Sequence, residues 1–125
     1  MNTFKKILAS VVIAAMSSSA FAVANPSYED VRVAIDNTLA KVEEAKAALD
    51  NGANNEAVID IVTDARQLQK DIANNVLDVK RNQASNVLKQ VRSALLNNEP
   101  QAAKESLVDA LNRYKEIKQL YAANH

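Results

Sequence analysis

The stretch LDNGANNEAVIDIVTDARQLQKDI, Leu49 to Ile72, returns later in the chain as LLNNEPQAAKESLVDALNRYKEI, Leu95 to Ile117, with one gap. Both copies read as a helix end, an Asn-rich turn, a new helix and a closing Lys-(Asp/Glu)-Ile. The residues before each copy, Val42 to Leu49 and Leu88 to Leu95, align without a gap. A helical hairpin used twice predicts an all-α fold: an up-down-up-down antiparallel four-helix bundle built from two similar helical hairpins.

Apolar spacing supports this along the whole stretch. Tyr28, Val31, Ile35, Thr38, Leu39, Val42, Ala45 and Leu49 follow a three-four rhythm. So do Val58, Ile61, Val62, Ala65, Leu68, Ile72 and Val76, then Val87, Leu88, Val91 and Leu95, then Ala103, Leu107, Ala110, Leu111, Tyr114, Ile117 and Tyr121. Ser27 with Asp30 resembles a capping box, Asp50 to Asn54 is a turn, and Pro100 suits the first turn of a helix. Helices are predicted over 27–50, 55–75, 78–97 and 100–122. The junction at 74–78, Asn-Asn-Val-Leu-Asp, has neither Gly nor Pro. A turn there gives a monomer. A continuous rod through it forces a dimer, because its apolar stripe needs cover. The tyrosines Tyr28, Tyr114 and Tyr121 are read as core rings whose hydroxyls reach the rim.

Residues 1–22 read as a cleavable signal peptide. Lys5 and Lys6 precede a short apolar run, Ile7 to Met16, and Ala20-Phe21-Ala22 supplies small residues for the cut; Ala24 offers a second one. The expectation is periplasmic export, with the domain over 23–125 and no transmembrane segment in the mature chain. Both Phe and both Met lie in the leader, so that domain has no Cys, Trp, Phe or Met, and its one His is His125. Ser-His-Asp and Cys-His catalysis has no residues to use, and the expectation is a protein that is not an enzyme and takes no cofactor. Over 23–125 there are 13 Lys and Arg against 15 Asp and Glu. That balance argues against nucleic acid as a partner, which requires a basic excess to displace counterions.

Two constellations remain as candidate sites. Glu56, Asp60 and Asp64 recur every four residues, which lines up carboxylates on one helix face; oxygen donors suit calcium or magnesium. Lys80, Arg81, Lys89 and Arg92 lie in a segment, 79–98, with no acid. They are read either as complementing acidic helices inside the bundle or as a docking strip for an unknown protein or an anionic envelope component. The spacing places Arg81, Lys89 and Arg92 together, opposite Val87, Leu88, Val91 and Leu95, and therefore exposed.

The segment Ala102-Ala103-Lys104-Glu105-Ser106-Leu107, continuing to Ala110-Leu111, is similar in its Ala, Lys and Leu rhythm to the hairpin repeats of small metal-binding proteins of bacterial periplasms. The length and hairpin plan also resemble the soluble b-type cytochromes. Both resemblances imply a periplasmic four-helix bundle. The histidines of the first family and the axial Met and His of the second have no counterparts at internal positions of 23–125, so no ligand residue carries over. The reading that results is an exported, non-enzymatic binding or accessory protein presenting a helical face to a partner. The alternative is a weak divalent metal-ion binding or storage protein.

Overall fold

The computed structural model describes residues 28–123, so the readings placed on the leader, on Ser27 and on His125 lie outside the described residues. Four helices follow in order: α1 Tyr28–Asp50, α2 Asn55–Leu68, α3 Asp78–Leu96 and α4 Pro100–Ala123. There is no strand among the described residues. Helix α1 packs on α2 and α4, and α3 packs on α4 and α2, so the four close in chain order into an antiparallel bundle. None of these helices is long and apolar enough to cross a membrane.

The hairpin repeat is visible in backbone detail. Helix α1 ends with Gly52 N–H donating to Leu49 O and Ala53 N–H to Ala48 O; α3 ends with Asn98 N–H donating to Leu95 O and Glu99 N–H to Ala94 O. Gly52 (φ +83°) and Asn98 (φ +58°), which occupy equivalent places in the two copies, are both left-handed. This is the same αL stop used twice, by the two residue types that tolerate it best. Asn55 ties the two turns together, donating from Nδ2 to Leu95 O at 3.0 Å and Asn98 Oδ1 at 3.2 Å. Asn54 caps α2 by accepting from Ala57 N–H at 2.8 Å.

The lower end is less regular. Helix α2 stops at Leu68, a single 3₁₀ turn covers Gln69–Asp71, and Ile72 leaves helical geometry at ψ 74°. The helix expected to reach residue 75 is therefore shorter, and the chain reverses before α3. Asn74 makes the reversal: its Oδ1 accepts from Val76 N–H at 2.9 Å and Leu77 N–H at 3.3 Å. Ile72 and Leu77 turn inward and are fully buried, whereas Val76, read as the end of the α2 stripe, stands exposed. The core consists of Val, Ile, Leu and Ala from all four helices plus Tyr114 and Tyr121. A fully buried side chain such as Leu88, Leu95 or Leu107 contributes about 1.5–3 kcal/mol relative to exposure.

Candidate functional site

Helix α3 carries the four basic residues, and the fold separates them. Lys80 reaches across to α4, with Nζ 3.1 Å from Glu116 Oε2. Arg81 is not exposed with Lys89 and Arg92 as the spacing suggested. It stands seven residues before Leu88, close to two full turns, so it shares the inward edge of α3. Its side chain keeps 21% of its exposure and lies 3.7 Å from Asp78. Lys89 and Arg92 are exposed and make no ion pair among the described residues. Nor do the bases pair with the acids of α1 and α2, since among the described residues the one bridge from α3 to another helix goes to α4.

Lys89 borders an open groove of about 390 Å³ between α3 and α4, whose walls include Gln90, Ser93, Glu99 and Ser106. Arg92 lies one turn on and Leu96 one turn beyond it, at 59% exposure. Positions 89, 92 and 96 share one helix face. That face presents two cations and an apolar side chain to solvent.

The acidic stripe on α2 lies on the solvent side of the bundle. Glu56, Asp60 and Asp64 are all exposed, and Asp64 Oδ2 lies 3.8 Å from Lys41 Nζ on α1. Among the described residues no three Asp, Glu or His gather closely enough to hold an ion. Carboxylates four residues apart line up along a helix, and Asp64 shares Lys41 with Glu44 of α1.

The lower half of the bundle holds its polar and aromatic side chains. Tyr28 and Tyr121 stack with centroids 4.9 Å apart, and Tyr121 O–H donates to Tyr28 O at 3.1 Å. Asp36 beside them sits 3.0 Å from both Arg32 and Lys118. Tyr114 departs from the expected rim position: the whole residue is at 0% exposure and its hydroxyl has no hydrogen-bond partner among the described residues. Burial drives the Tyr114 phenol well above its ordinary value, and the charges of Arg81 and then Arg66 oppose that rise. Nε of Arg66, Nε of Arg81 and Oε1 of Gln69 are likewise buried without partners. No motif marks these residues in the sequence. Gln69 stands seven residues after Val62 and three before Ile72, a polar residue in a stripe position, and that was the available signal.

No family model, no curated protein and no solved structure matches the chain.

Proposed function

We propose that the protein is an exported, non-enzymatic binding or accessory protein of the periplasm, which docks an acidic segment of a partner protein along α3. The observation that carries the reading is the pair Lys89 and Arg92, exposed and without ion pairs among the described residues, on a helix whose one acid, Asp78, lies at its far end. Leu96 on the same face supplies an apolar anchor, and the groove beside Lys89 gives an extended segment room to lie. Such a face favours charge-steered association, and the charges set rate and specificity more than raw affinity.

Fractionation and capture together test it. The expected results are a shortened protein in the periplasmic fraction, and an acidic partner that is retained at low salt and released as salt is raised. Recovery of the uncut chain from the cytoplasm contradicts export. A partner held equally well at all salt concentrations contradicts docking through charge.

A further inference from the structure

Glu56 and Asp60 on α2 and Lys89 and Arg92 on α3 are all exposed, and none of them makes an ion pair among the described residues. They stand on neighbouring helices at the same height. Asn55 Nδ2 donates to Leu95 O at 3.0 Å, which sets the start of α2 level with the end of α3. The two helices run in opposite directions, so residue 56 lies level with 94 and residue 60 with 90. Each acid is therefore within ~3 Å, along the bundle axis, of a base on the next helix. Both strips nonetheless point outward. Asn55 turns toward α3 and Asp64 toward Lys41 of α1, and the register places Glu56 and Asp60 between these two directions, away from the core. On α3, Gln90, Ser93 and Asn97 line the groove toward α4; Lys89 stands at its outer edge, and Arg92 and Leu96 lie beyond it on the side of α2.

Lower down the bundle the signs reverse on both sides. Lys70, in the 3₁₀ turn below α2, is exposed and meets no acid among the described residues. Asp78 opens α3 with its side chain half exposed. The same count sets residue 70 level with 80. Asp78, Lys89 and Leu96 share one face of α3 to within about 20°, and Glu56 and Lys70 share one side of α2 to within about 40°. From top to bottom the α2 side reads acid, acid, base, and the α3 side reads base, base, acid. A two-fold axis parallel to the helices lays α2 of one copy against α3 of another at unchanged heights, and does so twice. Every charge of this face then meets its opposite.

We propose that the outer α2–α3 face binds a second copy of this chain, in a closed dimer that sets Glu56 and Asp60 of each copy on Arg92 and Lys89 of the other and covers Leu96 at its upper end. Charges of this kind give specificity and speed more than affinity, so the dimer is weak, reversible and sensitive to salt. It shares Lys89 and Arg92 with the docking reading and does not require an acidic partner to exist. An acidic segment reaches the two bases by displacing the second copy, which makes self-association a brake on docking.

Sedimentation velocity tests this on the protein purified as the cell produces it, with no partner present. Wild type should be dimeric at roughly 20 mM NaCl and monomeric by about 500 mM, where charges more than about 4 Å apart are screened. Glu56→Lys/Asp60→Lys and Lys89→Glu/Arg92→Glu should each lose at least about tenfold in self-association at low salt, because attraction across the face becomes repulsion. An equimolar mixture of the two variants should form heterodimers, since each then supplies the charge that the other needs. That recovery also shows that both variants are folded. The acid reversal keeps Lys89 and Arg92, so it should still take the acidic partner, and this separates the dimer from the docking reading. A wild type that is monomeric at low salt, a dimer indifferent to either reversal, or variants that do not recover on mixing, overturns the second-copy interface and leaves docking along α3 to its own test.

Discussion

Gly52 and Asn98 hold left-handed backbone angles that most residues adopt only at a cost. A methyl group added at Gly52 meets nothing within 4 Å, so any penalty there is purely conformational. Gly52→Ala should destabilise by about 1 kcal/mol in urea titration with an unchanged m-value. No change would mean that the α1–α2 turn relaxes freely. Tyr114 makes the residue-scale prediction for pH. Its folded value is raised, so its contribution is present in full below the ordinary phenol value of 10.0 and is lost as pH rises through the folded value. Alkaline denaturation should therefore set in later for Tyr114→Phe than for wild type, followed by circular dichroism. The inward position of Arg81 was within reach of the sequence, because a separation of seven from Leu88 repeats the helix face to within about 20°. Charge and register point in opposite directions at this position. The orphaned hydroxyl of Tyr114 had no such signal, since the neighbours that fail to pair with it come from other helices.

At the level of elements, α1 and α4 are legible almost residue for residue, because long stripes end at strong stop signals: Asp50 to Gly52 for α1, Pro100 at the start of α4. The end of α2 is not. Ile72 keeps the three-four spacing while leaving the helix, and its burial comes from plugging the base of the bundle. Periodicity reports which residues go inside, and it does not tell a helical residue from a loop residue that turns inward. The reversal depends on the Asn74 side chain, which stands where Gly or Pro would have announced a turn. Asn74→Ala should cost about 1 kcal/mol, since Val76 N–H loses its acceptor and Leu77 N–H keeps only the Asn74 carbonyl. Comparison with Asn75→Ala, whose side chain makes no such bond, isolates the effect. Equal losses would show that helix propensity alone sets the junction.

For the molecule as a whole, the antiparallel closure follows from the hairpin repeat, and the repeat is written in sequence as two Asn-rich turns. The charge layout could not be read the same way. Net charge per helix was plain, but which helices neighbour α3, and whether its bases are paired, depends on the closed bundle. That arrangement leaves Lys89 and Arg92 without counter-ions among the described residues and commits Lys80 to α4. Exposed cations of this kind add little to stability, so they are free to be replaced without harm to the fold. The most direct measurement is the affinity of the captured acidic partner for wild type and for Lys89→Glu/Arg92→Glu, with melting temperatures taken on both proteins. The expected result is loss of binding by the double reversal at an unchanged Tm, with wild-type binding falling as salt rises. Unchanged binding, or a drop in Tm that accounts for the loss, would contradict docking along α3.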